Sequence, residues 1–139
     1  MGPSWFVDTS VLLLAAGESH PQRTDAIAFL EQARTHRQAL HVSVEALQEF
    51  TFHRLRRVER DRALEESEAL ARALVVHAFD GSIMTDALGL MRLTSLRGRD
   101  AVHAATALAA GFAFIVSCDR DFDSVPGLRR LEPRDALTS

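Results

Sequence analysis

Short apolar segments alternate with longer amphipathic segments along most of the chain. The short segments are typical of buried strands, and the longer ones show the apolar spacing of helices. The pattern predicts strands over residues 5–7, 40–42, 75–79, 112–117 and 128–131. It predicts helices over residues 10–16, 20–37, 44–57, 61–74, 82–95 and 99–110. Strands separated by helices imply an α/β fold, a three-layer α/β/α sandwich with a mainly parallel central sheet.

One uncharged stretch, residues 101–118, has a length near the lower limit for a membrane span. Gly111 divides it into an alanine-rich half that favours helix and a Phe-Ala-Phe-Ile-Val half that favours a buried strand. We therefore interpret the stretch as a helix followed by a strand. Ser43 similarly marks a boundary, as a plausible N-cap of the helix predicted from residue 44.

Composition narrows the class of protein. A chain of 139 residues with 47% apolar and 25% charged residues predicts a single soluble domain, residues 1–139. The net charge of −3 excludes a uniformly basic surface, although all 16 basic residues are arginine. A lone cysteine, Cys118, excludes an internal disulfide, and no signal peptide is visible, so we expect a cytoplasmic protein.

Acidic residues follow several of the predicted strands. In open parallel sheets, ligands bind beyond the carboxyl ends of the strands, where the strand order reverses. Acids from distant parts of the chain can meet there, and their repulsion is unfavourable unless a cation such as Mg²⁺ neutralises it. The acids that end or follow strands are Asp8, Asp80, Asp119, Asp121 and Asp123. Glu45 and Glu49 lie early in the helix after the second strand, and Asp100 lies in the first turn of the helix that leads into the fourth strand.

Four segments together carry a family resemblance. They are D-T-S-V-L-L at 8–13, S-x5-E-F at 43–50, R-D-A-V-H-A-A-T-A at 99–107 and S-x-D-x-D-F at 117–122. In order and spacing they resemble the four motifs of PIN-domain ribonucleases. The size of the chain and the style of its motifs most resemble the VapC-like toxins of toxin–antitoxin pairs.

The resemblance implies an Mg²⁺- or Mn²⁺-dependent endoribonuclease that hydrolyses RNA phosphodiesters and is restrained by an antitoxin protein. It assigns Asp8, Glu49, Asp100 and Asp119 as catalytic metal ligands. Asp121 or Asp123 would be an auxiliary metal ligand. The hydroxyls of Thr9 and Ser117 would hold carboxylates or water.

Several of these acids also have purely structural interpretations. Asp8 could cap the first helix. Glu45 competes with Glu49 as the acid of the second motif, although the charge of Glu45 could simply favour a helix N-terminus. Asp100 could pair with Arg97 or Arg99 instead of binding a metal.

Other polar residues have structural interpretations too. Asp121 and Asp123 suit a solvated turn, and Asp80 before Gly81 indicates a turn as well. We expect His103 to pack or to orient a neighbour, and Cys118 to be a small buried residue.

Arginines are dense between positions 54 and 62. They form either a solvated helix end or a basic rim for RNA phosphates or an acidic partner segment. We interpret six arginines as candidate RNA or partner contacts: Arg54, Arg56, Arg57, Arg97, Arg99 and Arg120. No exposed aromatic platform for stacking bases is evident.

Two other classes of function remain open. A Mg²⁺-binding switch of the phosphoreceiver type also gathers acids at strand ends, but it uses a lysine and this chain has none. The second is an RNA-binding or assembly module on the same type of fold. We also expect a homodimer, because residues 44–74 carry apolar side chains on more than one helix face.

Overall fold

The structure is a computed structural model that describes residues 4–137. The strands in this range are β1 Trp5–Phe6, β2 Leu40–Ser43, β3 Val75–His77, β4 Phe114–Val116 and β5 Arg129–Leu131. The helices are α1 Thr9–Ala16, α2 Arg23–Thr35, α3 Val44–Leu55, α4 Arg60–Ala73, α5 Gly81–Leu93, α6 Gly98–Ala109 and α7 Pro133–Ala136. A short 3-10 helix, Arg120–Ser124, follows β4.

The strands form two parallel sheets that meet in the middle of the molecule. One sheet has the order β1-β2-β3 and the other pairs β4 with β5. A parallel bridge between Val7 and Val116 joins them, and the Asp8 amide donates to the Val116 carbonyl at 3.0 Å. The combined order is therefore β3-β2-β1-β4-β5, and the chain order reverses between β1 and β4.

Alternating side chains of the central strands build a core on each face of the sheet. Phe6 and Ile115 belong to a cluster that includes buried residues of α5 and α6. Their neighbours Val7 and Val116 belong to a second cluster, which includes buried residues of α1, α2 and α3. The predicted three-layer α/β/α sandwich with a parallel sheet is confirmed.

Two of the predicted element boundaries have visible causes. The Ser43 hydroxyl accepts a hydrogen bond from the Ala46 amide at 3.2 Å and caps α3. Gly111 has a φ of +87°, which favours glycine, and lets the Phe112 amide return to the Ala107 carbonyl at 3.0 Å. The 3-10 helix and the four-residue α7 were not predicted, because such short elements show no periodicity.

The apolar residues behind the expected homodimer divide between core and surface. Phe50 and Leu74 are buried in the core, whereas Phe52 and Leu55 are exposed. Val44 in the same segment is also exposed, and Leu64 and Leu70 are half-buried. The segment therefore leaves part of its apolar surface open to solvent, and the homodimer stays a prediction.

Arg54 lies inside the molecule and not on a basic rim. Only 8% of its side chain is exposed, and its guanidinium donates two hydrogen bonds to Glu66, at 2.7 and 3.2 Å. Arg62, one turn earlier on α4, also contacts Glu66 at 3.2 Å. The expectation that Arg54 contacts RNA or a partner is therefore not supported by its position, because its charge is used to join α3 to α4.

Replacing Arg54 by alanine should leave the partly buried Glu66 carboxylate with only the exposed Arg62. We expect the free energy of unfolding to fall by about 2–4 kcal/mol, since removal of one partner of a buried ion pair is costly. Urea denaturation measures this quantity. The matched control is Arg72→Ala on the exposed surface of α4, which should change it by about 0.5 kcal/mol or less. Equal effects of the two substitutions would contradict the structural role of Arg54.

Candidate metal and catalytic site

The pairing of β1 with β4 brings the first and last acidic motifs together. Asp8 follows β1 directly, and Asp119 lies just beyond β4. Because the two strands are parallel neighbours, both acids lie at the same edge of the sheet, where the strand order reverses. This is the edge at which the sequence predicts a ligand site.

The Ser117 hydroxyl links these two segments. Its Oγ donates to Asp8 Oδ2 at 2.9 Å and accepts from the Asp119 amide, also at 2.9 Å. Both Asp8 and Ser117 are buried. The hydroxyl therefore orients one carboxylate and the backbone that carries the other.

Glu49 approaches from α3 and is held by two donors. The Thr9 hydroxyl donates to Glu49 Oε1 at 2.8 Å, and His103 Nε2 lies 3.3 Å from the same oxygen. Burial, the strongest influence on the pKa of Glu49, favours the protonated form. The hydrogen bonds from His103 and Thr9, with the charges of His103 and Arg99, outweigh burial and hold that pKa below its usual value.

His103 is a buried connector between α6, β2 and the acids. Its Nδ1 lies 2.6 Å from the Ser43 hydroxyl, and its Nε2 faces Thr9, Glu49 and, at 3.9 Å, Asp8. Burial is the strongest influence on the pKa of His103 and lowers it, but the hydrogen bond to Glu49 and the nearby carboxylates raise it above its usual value. The side chain orients its neighbours from within the protein.

Asp100 joins the two parts of the acidic cluster. In one group, an oxygen of Asp100 lies within 4.8 Å of ligand atoms of Asp8 and His103. In a second group, an oxygen of Asp100 lies within 4.8 Å of oxygens of Asp119 and Asp121. Burial, followed by the charges of Asp8 and Asp119, raises the pKa of Asp100 to about 7. Full ionisation of the cluster is therefore unfavourable unless a cation or a proton neutralises part of its charge.

The auxiliary acids separate from each other in space. Asp121 lies in a group with Asp100 and Asp119. Asp123 instead accepts two hydrogen bonds from Arg130 of β5, at 2.8 and 3.3 Å, and Arg130 also donates to the Ser117 carbonyl at 3.1 Å. The structure thus brings Asp121 to the cluster and uses Asp123 to secure the loop after β4.

Of the remaining predicted residues, Glu45 and three arginines lie near this cluster, and Asp80 lies elsewhere. Glu45 and Glu49 each have an oxygen 4.0 Å from the exposed Arg99 guanidinium. Arg97 and Arg120 are exposed next to predicted ligands. Asp80 does not reach the site: its side chain accepts from the Ile83 amide at 3.0 Å and caps α5.

The acids open into a cavity of about 370 Å³. Sequence reasoning assigned no role to four polar residues of its lining and did not anticipate the contact between Ser43 and His103. These four lining residues are Ser10, Glu18, His20 and His53. Glu18 and His20 lie in the loop between α1 and α2, and His53 lies on α3. Nothing in the motif spacing indicates these three residues, because only the packing of these segments brings them to the acids.

Cys118 also lines the cavity, and it is half-buried where we expected a buried residue. Burial and the charge of Asp8 raise the pKa of its thiol to about 11. The thiol is therefore protonated near neutral pH and is not a nucleophile there.

Comparison with known proteins identifies the family. A model of the PIN domain matches residues 5–128. Ribonuclease VapC13 of Mycobacterium tuberculosis is 32% identical over 130 residues, which is 90% of this chain and 97% of that protein. Ribonuclease VapC23 of the same species is 33% identical over 121 residues, or 86% and 95% of the two chains. The chain therefore belongs to the PIN-domain family, in its VapC ribonuclease branch.

Solved structures agree on the fold. The DNA-bound VapBC complex of Salmonella typhimurium contains a chain with a TM-score of 0.76 at 16% identity, covering 95% of this chain and 99% of that one. The M. tuberculosis VapC20 structure, described as a sarcin-ricin loop cleaving toxin, gives a TM-score of 0.67 at 20% identity and covers 86% and 93% of the two chains.

Within residues 4–137, no helix has both the length and the apolar character needed to cross a membrane.

The raised pKa of Asp100 sets a pH dependence for the metal-free protein. Between its ordinary value of 3.8 and about 7, the folded state binds more protons than the unfolded state. The stabilisation from protonated Asp100 is thus complete below about pH 4 and is lost as the pH rises through about 7. With a chelator present, the melting temperature of wild type should fall more between about pH 5 and pH 8 than that of Asp100→Asn. Parallel pH profiles for the two proteins would contradict this.

Proposed function

We propose that this chain is an Mg²⁺- or Mn²⁺-dependent endoribonuclease that hydrolyses RNA phosphodiesters as the toxin of a toxin–antitoxin pair. The observation that carries the proposal is the convergence of Asp8, Asp100 and Asp119 where β1 and β4 meet, with Glu49 beside them. Family membership and the VapC relatives support ribonuclease activity.

The donor set fits a hard divalent cation. Carboxylate oxygens are the protein ligands that Mg²⁺ and Mn²⁺ prefer, and Asp100 belongs to both groups of converging ligand atoms. The raised pKa of Asp100 adds a second argument, since a cation would remove the repulsion that favours its protonated form. Asp8, Asp100 and Asp119 would hold the ion, and Glu49 and Asp121 would complete its surroundings.

A bound divalent ion would supply Lewis acidity, which favours hydroxide near neutral pH, and positive charge to stabilise the phosphate in the transition state. The side chains of this chain act by position. The Ser117 hydroxyl orients the Asp8 carboxylate, and Thr9 and His103 orient the Glu49 carboxylate. Because both carboxylates are held in place, they do not have to reorganise during the reaction. No covalent intermediate on the protein is required, and the Cys118 thiol, with a pKa of about 11, is unsuited to form one.

RNA must approach an acidic cavity, so cations at its edge are needed. Arg97 and Arg120 are exposed beside the predicted ligands, and Arg99 lies 4.0 Å from Glu45 and Glu49. These three arginines would attract phosphates to the opening and offset the charge of the acids.

An antitoxin would act by covering this opening. Several of the similar solved structures are toxin–antitoxin complexes, including VapBC from Salmonella typhimurium and VapBC-1 from Haemophilus influenzae. A partner segment that reached the cavity would exclude RNA by occupying the same surface. The phosphoreceiver-type switch is not favoured, because the chain has no lysine and the relatives that it matches are ribonucleases.

Asp100→Asn tests the metal site. The substitution retains shape but removes charge, so we expect loss of RNA cleavage and weaker Mn²⁺ binding. The metal-free protein should be as stable as wild type or more so, because repulsion is relieved. Saturating Mg²⁺ should raise the melting temperature of wild type and raise that of the variant much less.

Asp86→Asn on the exposed surface of α5 is the matched control and should behave as wild type. An Asp100→Asn protein that cuts RNA at the wild-type rate would remove Asp100 from the site. A variant that unfolds would instead show that the carboxylate is structural.

Thr9→Val tests the hydrogen bond that aims Glu49. Valine matches the volume of threonine but cannot donate to Oε1, so cleavage and metal affinity should fall by roughly 10- to 100-fold. Thr9→Ser keeps the hydroxyl and should retain most of both. Metal titration and a cleavage assay on the same preparations measure the effect. Equal activity in the two variants would show that the hydroxyl does not position Glu49.

A further inference from the structure

A second cavity, of about 340 Å³, lies at the end of α3. Its lining consists of His53, Arg56 and Arg57. His53 also lines the acidic cavity, so the two cavities share this side chain as a common wall. A ligand that extends out of the acidic cavity past His53 therefore reaches the two arginines.

The charges of these arginines are not neutralised by the protein. Arg54 and Arg62 of the same segment both pair with Glu66. Across the part of the chain that the structure describes, by contrast, Arg56 and Arg57 form no ion pair, and both are exposed. Two unpaired guanidinium groups beside a cavity favour an anion, and guanidinium geometry suits phosphate oxygens.

An aromatic ring adjoins the cations. Phe52 is 49% exposed, the Arg56 guanidinium lies 5.6 Å from the centre of its ring, and the His53 ring meets it edge-on at 5.7 Å. Exposed aromatic rings beside arginines are the usual stacking surface for unpaired bases. The sequence-based expectation that no such platform is exposed is therefore wrong for Phe52.

A simpler explanation accounts for only part of this. Cations at the C-terminal end of a helix favourably compensate its dipole, and α3 ends at Leu55. The helix dipole accounts for the presence of Arg56 and Arg57 at this end of α3. It does not explain why a phenylalanine is left exposed among them, or why His53 faces both cavities.

We propose that His53, Arg56 and Arg57 bind a phosphate of single-stranded RNA next to the scissile one, and that Phe52 stacks the adjoining base. The inference rests on the proposed ribonuclease function and extends it to one flank of the cleavage site. The subsite gives affinity for the RNA backbone and for an unpaired base, with no base-specific hydrogen bond.

The test is RNA binding in the presence of Mg²⁺, with Asp100→Asn as the shared background so that the RNA is not cut. A labelled single-stranded oligoribonucleotide is titrated at several salt concentrations. Adding Arg56→Gln with Arg57→Gln should raise the dissociation constant roughly 10-fold and reduce the slope of log affinity against log salt by roughly 0.7 to 1.4. Adding Phe52→Ala should raise the dissociation constant about 5- to 100-fold and leave the slope unchanged.

Matched controls come from surfaces away from this cavity. Arg92→Gln on α5 removes one exposed arginine, and Phe114→Ala on β4 removes a ring that is 43% exposed. Both should bind RNA as the background protein does. Melting curves for all variants establish that the substitutions leave the fold intact, as expected for exposed side chains.

The outcomes separate the two proposals. If wild type does not cut RNA with Mg²⁺ or Mn²⁺, the proposed function fails. If wild type cuts RNA while the arginine and Phe52 variants keep the affinity and salt slope of the background, the subsite is overturned and the function stands. Unchanged RNA binding with a lower mass by light scattering would make this surface a contact between copies, and unchanged RNA binding with loss of a protein partner would make it a partner site. Either result overturns the RNA subsite.

Discussion

Repulsion among carboxylates at the carboxyl edge of the sheet is the constraint on which the arrangement of this protein depends. Ligand atoms of Asp8 and Asp119 each lie within 4.8 Å of Asp100. At such separations each pair of full charges repels by roughly 1 to 4 kcal/mol for effective dielectric constants of about 80 to 20. The fold holds the acids there with hydroxyls from Thr9 and Ser117. The remaining repulsion between the carboxylates is relieved by one proton on Asp100, whose pKa is about 7, or by one bound cation.

The supporting hydrogen bonds connect elements that are far apart in the chain. Thr9 of α1 reaches Glu49 of α3, and Ser43 before α3 reaches His103 of α6. The first bond fixes the Glu49 carboxylate and joins α1 to α3, and the second joins β2 to α6 and orients His103, whose other ring nitrogen contacts Glu49. Positioning of this kind is needed for chemistry in which the protein contributes geometry and charge and supplies no nucleophile.

Arginine performs several different tasks in this chain. Arg54 is an internal connector, Arg130 secures the loop after β4, and Arg99 lies beside the acids. Arg56 and Arg57 keep their charge for a ligand in the proposed subsite. Composition shows that all basic residues are arginine, but only the contacts of each one show which task it has.

Local sequence pattern was enough to predict the class of fold and to nominate acids that the structure places close together. Alternation of apolar strands with amphipathic helices is a local property, and it predicted the layered parallel sheet and the order of all elements except the 3-10 helix and α7. The motif residues at strand ends and helix starts likewise follow from local spacing, and the four motifs were enough to indicate the family.

Tertiary structure decided which polar residues belong together. Asp121 and Asp123 occupy similar positions in the loop after β4, and nothing in the sequence separates their roles. The pairing of β5 with β4 places Arg130 where it donates to Asp123. Arg54 and Arg56 are two positions apart, and the packing of α4 buries one and leaves the other exposed. Strand alternation and helix periodicity specify which way a side chain faces relative to its own element, whereas a partner from a distant segment depends on how the elements pack.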